Sequence, residues 1–212
     1  MLLAQLQKEK LIAIVRLNDS SNLIRIAEAL QNAGVLFLEV TLTMPDPFVA
    51  IASIKKALGK SFYVGAGTAK NLDLAKKSIE SGADFLVSPN FKMEVVEYAN
   101  KNDVTIMPGA MTPTEIYEAW ESGSDVVKIF PSSLGGSKYF KELRGPFPEI
   151  RFMPTGSITL ESAPEYLKEG AFALGVGTSL VRPEDVAQGN YGNISKRANL
   201  MRGLISSLQG SR

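Results

Sequence analysis

The sequence predicts an α/β fold, a single (β/α)8 TIM barrel that takes up residues 1–212 as one domain. Three observations predict it. Short apolar runs alternate with amphipathic stretches of helical period along the whole chain, the pattern of parallel strands joined by right-handed crossovers. Eight such apolar runs are evenly spaced. Glycine closes many of the helical stretches, as at Ala33-Gly34, Ser81-Gly82, Ser122-Gly123 and Glu169-Gly170, where a left-handed residue ends a helix at low cost. A doubly wound open sheet uses the same alternation but rarely needs eight evenly spaced strands. At 212 residues the barrel would be compact for its class.

In order, the first strand is expected over 11–17, where Leu11 to Val15 are all apolar and Arg16 ends the run. A helix over 22–32 follows, then a strand over 36–42 that carries Glu39. The third unit pairs a helix over 47–58 with a strand over 62–68 that ends in Gly65-Ala66-Gly67-Thr68. Helices over 72–81 and 93–100 flank a strand over 85–89, which runs into Ser88-Pro89-Asn90. The fifth strand, 105–109, ends in Pro108-Gly109 and leads to a helix over 113–122. The sixth, 126–130, contains Lys128; the seventh, 151–155, runs into Gly156-Ser157; the eighth, 173–177, runs into Thr178-Ser179. A polar loop over 182–193 precedes a last helix near 194–208.

Composition excludes several function classes. A chain that is 45% hydrophobic and 21% charged can bury a sizeable core. Its formal net charge of +1, with no basic run, points away from nucleic acid and from membrane surfaces. Cysteine is absent, which removes disulfides and thiol chemistry. Histidine is absent too, and with it the commonest general base and the commonest metal ligand. Acid–base work falls to carboxylates, lysine, tyrosine, hydroxyls or water. The N-terminus shows no cationic stretch ahead of a long apolar core, and no apolar run reaches a membrane span. A cytoplasmic location is the expectation.

Lys128 is the most informative residue. It stands in Val126-Val127-Lys128-Ile129-Phe130-Pro131, flanked by two large apolar residues on each side. Strands this apolar are usually buried on both faces. A buried ammonium loses hydration, its pKa falls, and the neutral amine becomes a nucleophile for carbonyls. The alternative is a lysine whose stem packs while its head reaches water. Glu39 is a second polar residue inside an apolar strand. Together the two are either a buried ion pair, which seldom stabilises much, or a proton-shuttling carboxylate beside an attacking amine. Two separate inward strand positions favour the second. Active sites of barrels lie at the C-terminal strand ends. There Arg16 offers a fixed fork of donors for a carboxylate, or is a solvated strand end. Thr68 follows two glycines that let a ligand approach the backbone. Gly156-Ser157 and Gly177-Thr178 close the seventh and eighth strands, the usual barrel site for phosphate.

The residues that carry this chemistry also carry a resemblance. The stretches Glu39-Val40-Thr41-Leu42, Gly65-Ala66-Gly67-Thr68, Val87-Ser88-Pro89, Met107-Pro108-Gly109, Lys128-Ile129-Phe130-Pro131, Arg144-Gly145-Pro146-Phe147-Pro148 and Met153-Pro154-Thr155-Gly156 run in order over nearly the whole chain. In them the sequence resembles the 2-keto-3-deoxy-6-phosphogluconate / 4-hydroxy-2-oxoglutarate aldolases, class I aldolases that work through pyruvate. The resemblance implies that Lys128 is the Schiff-base lysine and Glu39 the proton shuttle. It implies that Thr68 helps to hold the pyruvate carboxylate, that Thr155 stands next to the reacting carbons, and that Pro89 and Phe130 pack around the pyruvate unit. It also implies a keto acid and an aldehyde as small-molecule partners, a homotrimer, no metal and no cofactor. Two positions depart from the family. An arginine that often follows the Glu-Val-Thr-Leu run is Thr43 here, and Arg16 matches members that place it at the end of the first strand. The usual Pro-Thr-Gly-Gly is Pro154-Thr155-Gly156-Ser157, which bears on the distal end of the substrate. A phosphosugar isomerase or epimerase on the same barrel, and a non-catalytic assembly scaffold, are the alternative functions.

Overall fold

The protein is described by a computed structural model over residues 2–210. In chain order its elements are α1 (Leu2–Glu9), β1 (Leu11–Val15), α2 (Leu23–Asn32), β2 (Phe37–Thr41), α3 (Pro47–Leu58), β3 (Tyr63–Gly67), α4 (Leu72–Glu80), β4 (Phe85–Val87), α5 (Met93–Lys101), β5 (Thr105–Met107), β6 (Gly109–Ala110), α6 (Pro113–Glu121), β7 (Val127–Ile129), α7 (Gly136–Arg144), β8 (Phe152–Pro154), α8 (Ala163–Lys168), β9 (Leu174–Val176), α9 (Pro183–Ala187) and α10 (Tyr191–Gln209). Local signals agree with several of these starts. Asn71 accepts from the Leu74 amide ahead of α4, and Thr112 with Glu115 forms a capping box on α6.

All strand pairings are parallel, and they form two sheets. One runs β5-β4-β3-β2-β1-β9 and the other β6-β7-β8. The expected eight strands therefore appear as nine segments among the described residues. The fifth run is split at Pro108, which has no N–H to give to a ladder. Backbone contacts still span the split. The Ser88 amide donates to the Met107 carbonyl, and the Lys128 amide donates to the Pro108 carbonyl. At the other end of the small sheet a single parallel bridge joins Thr155 to Gly175.

Strand residues sort by parity, as a pleated strand requires. Leu38, Val40, Val64, Ala66, Leu86, Val127, Ile129, Leu174 and Val176 pack under the helices. Ile12, Phe37, Phe85, Val87, Met107, Val126, Met153 and Ala173 form a separate inner cluster together with Leu6 of α1. The first helix thus fills the N-terminal end of the inner space, a helix that no motif in the sequence announced. The inner cluster occupies the lower part of the strands. Above it the same parity brings Glu39 and Lys128 inward. Two elements differ from expectation near the C-terminus. The loop expected over 182–193 contains α9, and the last helix begins three residues earlier, at Tyr191. Pro183 at the start of α9 supplies the preset backbone angle that opens it. Among the described residues no helix is long and apolar enough to cross a membrane.

Candidate active site

Glu39 is the middle residue of β2, in register with Ile14 of β1 on one side and Gly65 of β3 on the other. Lys128 is the middle residue of β7, between Gly109 and Met153. Both are buried, at 1% and 5% exposure. A cavity of about 230 Å³ at the C-terminal strand ends is lined by both, together with Phe130 and Thr155, and with the exposed Arg16 and Gly156, Ser157, Gly177 and Thr178 toward its mouth. Nine of the eleven residues singled out in the sequence therefore share one cavity. Thr68 and Pro89 are not in its lining. Thr68 is half-buried at positive φ after β3, and the Pro89 backbone packs where a Cβ on Gly109 would otherwise stand.

The glycines of β3 serve a different purpose from the one the sequence invited. They make room for side chains of this chain. A Cβ at Gly65 would lie 2.1 Å from the Phe85 ring, and one at Gly67 would lie 2.0 Å from Oε1 of Glu39. Likewise a Cβ at Gly175 would lie 2.3 Å from the Thr155 hydroxyl. Two of the three buried polar groups that line the cavity, Glu39 and Thr155, thus owe their places to a missing side chain on the neighbouring strand.

Among the described residues no ion pair joins Glu39 to Lys128, and Oε2 of Glu39 is buried without a hydrogen-bond partner. The ammonium position of Lys128 instead lies 4.8 Å from the centre of the Phe130 ring. The simple buried salt bridge is therefore not what this pair forms. Burial pushes the Glu39 carboxyl up from the ordinary carboxylate range, with Lys128 and Arg16 pulling it back. Burial pushes the Lys128 amine down; Glu39 opposes this and Arg16 adds to it. Each of the two groups is thereby moved toward its neutral form, which for Lys128 is the nucleophilic form.

Thr155 is fixed from behind. Its amide reaches both the Ile129 carbonyl and the Ser132 hydroxyl, and Ser132 donates that hydroxyl to Ile129. Ser132 was not singled out in the sequence. It carries no signal there beyond following Pro131. Ser157 lies at φ +56 and Gly156 at φ +104. The serine therefore occupies a left-handed position, which costs a non-glycine residue on the order of 1 kcal/mol, while its exposed side chain stands at the cavity mouth. The arrangement has the parts for imine chemistry: a desolvated amine, a buried carboxylate with an unused oxygen, and a cation at the mouth to receive an acid. Among the described residues no group of three or more acidic side chains is placed to hold a metal.

Comparison with known proteins bears on the site as a whole. A family model described as KDPG and KHG aldolase matches residues 2–197. The 2-dehydro-3-deoxy-phosphogluconate aldolase of Treponema pallidum is 32% identical over 191 residues, which cover 90% of each chain. A KDPG aldolase from Legionella pneumophila, solved with pyruvate captured as a covalent carbinolamine, superposes with a TM-score of 0.88 at 26% identity over 95% of this chain and 98% of that one. A cube-shaped protein cage designed by fusing symmetric oligomeric domains contains a chain that superposes at 0.89, with 28% identity over 96% of this chain and 74% of that one.

Proposed function

The chain belongs to the KDPG and KHG aldolase family and is a class I aldolase, and on that premise we propose that Lys128 and Glu39 carry the reaction. One observation supports this above all. A buried amine and a buried carboxylate share one cavity without neutralising each other. Lys128 attacks the C2 ketone of a 2-keto-3-deoxy sugar acid, and loss of water leaves an iminium. The C4 hydroxyl proton passes to Glu39 through a water, the C3–C4 bond breaks, and its electron pair enters the iminium to give an enamine and a free aldehyde. Glu39 returns a proton to C3 of the enamine, and water releases pyruvate and restores the amine. The iminium is itself the electron sink.

Arg16 holds the carboxylate of the keto acid with two donors. Thr68, beside the cavity lining, helps to hold that carboxylate, and Pro89 and Phe130 pack around the pyruvate unit, with Thr155 beside the reacting carbons. Gly156, Ser157, Gly177 and Thr178 receive the distal group, a phosphate for 2-keto-3-deoxy-6-phosphogluconate. We read the two parallel sheets as one closed eight-stranded (β/α)8 barrel forming a single domain over 1–212. The backbone contacts across Pro108 and the Thr155–Gly175 bridge support that reading. The working assembly is a homotrimer in the cytoplasm. Pyruvate release from the phosphorylated six-carbon keto acid and from 4-hydroxy-2-oxoglutarate, followed with wild type and Lys128→Ala, tests the function. Wild type should cleave at least one of them and Lys128→Ala neither. Equal rates for the two proteins would remove Lys128 from the mechanism.

A further inference from the structure

The mouth of the cavity is held by a side-chain network that lies behind it. The turn after β9 is tight: the amides of Leu180 and Val181 both donate to the Gly177 carbonyl. Arg197, on α10, does not line the cavity. Its Nε donates to the Leu180 carbonyl at 2.9 Å, and its Nη2 donates to Asp185 at 2.6 Å. The other carboxylate oxygen of Asp185 accepts from the side-chain amide of Asn193 at 2.7 Å. Arg197 and Asp185 are 15% and 13% exposed, so solvent has little access to the pair. One guanidinium therefore fastens both the turn and α9 to the last helix. The hold continues across the mouth. The Ser179 hydroxyl donates to the Ile158 carbonyl at 2.6 Å, tying the turn after β9 to the loop that bears Ser157.

We propose that Arg197 is a positioning residue that sets the spacing of the two loops receiving the distal group of the substrate, and so governs selection for phosphate without touching it. The inference rests on the reading of Gly156, Ser157, Gly177 and Thr178 as the distal binding loops. The physical ground is the fork of Arg197. Two acceptors that diverge from one another are satisfied by a rigid planar group, whereas an ammonium on a flexible stem holds one of them at a time. With the fork gone, Leu180 is released, Gly177 and Thr178 follow it through the turn, and Ser179 passes the slack to Ile158. Lys128 and Glu39 sit on β7 and β2, and none of these side-chain hydrogen bonds reaches either strand.

Arg197→Lys and Arg197→Met test this, with KM and kcat measured for the phosphorylated six-carbon keto acid and its unphosphorylated form. Amide exchange at Leu180 and Val181 is measured alongside. The expected result is a KM for the phosphorylated acid raised about tenfold in Arg197→Met and about threefold in Arg197→Lys, the scale of one or two lost hydrogen bonds. The kcat, the KM of the unphosphorylated acid and the trapping of pyruvate by borohydride should stay within about twofold. Exchange at Leu180 and Val181 should quicken. A rise in KM common to both acids, or no change in KM and exchange, overturns the role of Arg197. A wild type that does not distinguish the two acids overturns the distal-loop reading instead. Should Arg197→Met fail to fold, Arg197→Lys, which keeps a cation beside Asp185, decides by the same measurements.

Discussion

Replacing Gly67 by alanine should slow turnover by about 10²- to 10⁴-fold while leaving the amine chemistry of Lys128 in place. Gly67 does not lie at positive φ, so its backbone tolerates alanine. The space does not. The new methyl would stand 2.0 Å from Oε1 of Glu39 and 2.6 Å from its Cδ and Cγ. Ordinary contact between such atoms is about 3.5 Å, so the carboxylate must retreat by about 1 Å or more. A displacement on that scale costs about 10²-fold in rate, and complete loss of a general base costs up to about 10⁴-fold. The expected fall in kcat therefore lies between those limits. Overpacking should cost about 1–3 kcal/mol, which for a domain of this size lowers Tm by about 2–4 °C per kcal/mol. The assay is steady-state cleavage, paired with pyruvate trapping by borohydride and a thermal melt. Trapping should persist, because it needs Lys128 and not Glu39. Adding Glu39→Asp, whose side chain is one methylene shorter, should recover part of the lost rate. A Gly67→Ala protein with wild-type kcat would refute the claim that the position of the Glu39 carboxylate limits the reaction.

Three further outcomes are expected. Glu39→Gln should lose about 10²–10⁴ in kcat yet still be trapped by pyruvate and borohydride, and normal turnover would assign the base elsewhere. Arg16→Gln should move the acid limb of kcat/KM to higher pH. The Arg16 charge holds down the pKa of both Lys128 and Glu39, whose working forms, the free amine and the carboxylate, both appear as pH rises. A limb that stayed in place or moved down would contradict this, and an unchanged KM for the keto acid in Arg16→Lys would mark Arg16 as a solvated strand end. Ser157→Gly should stabilise the fold by about 1 kcal/mol, because it relieves a left-handed serine at φ +56. An unchanged Tm would count against that, and a wild-type preference for phosphorylated over unphosphorylated acid below about tenfold would count against phosphate at this loop.

Lys128 and Glu39 were legible in the sequence because charge in the middle of an apolar strand has few physical explanations, and strand parity placed both on the same side. That Arg16, Gly156, Ser157, Gly177 and Thr178 line the cavity was legible from their places at the C-terminal ends of strands. What stayed hidden depends on contacts between distant segments. Gly67 read as permissive backbone and Gly175 carried no signal of its own, but their effect is to leave space for Glu39 and Thr155 across the ladder. That requires the strand register, which apolar runs alone do not specify. The side chains of Ser132 and Arg197 act through hydrogen bonds with backbone groups 3 to 23 residues away, and a backbone group has no sequence signature. The helix Leu2–Glu9 escaped notice because its importance comes from filling the open end of the inner cluster through Leu6. Pro108 split a strand that its apolar pattern had presented as continuous.

The identity of the attacking amine is the point on which the proposed mechanism stands, and peptide mapping of the protein reduced with borohydride in the presence of pyruvate reads it directly. The expected result is a single stable adduct, on the peptide that contains Val126-Val127-Lys128, absent from Lys128→Ala and present in Glu39→Gln. An adduct on any other lysine, or equal labelling of wild type and Lys128→Ala, would contradict it.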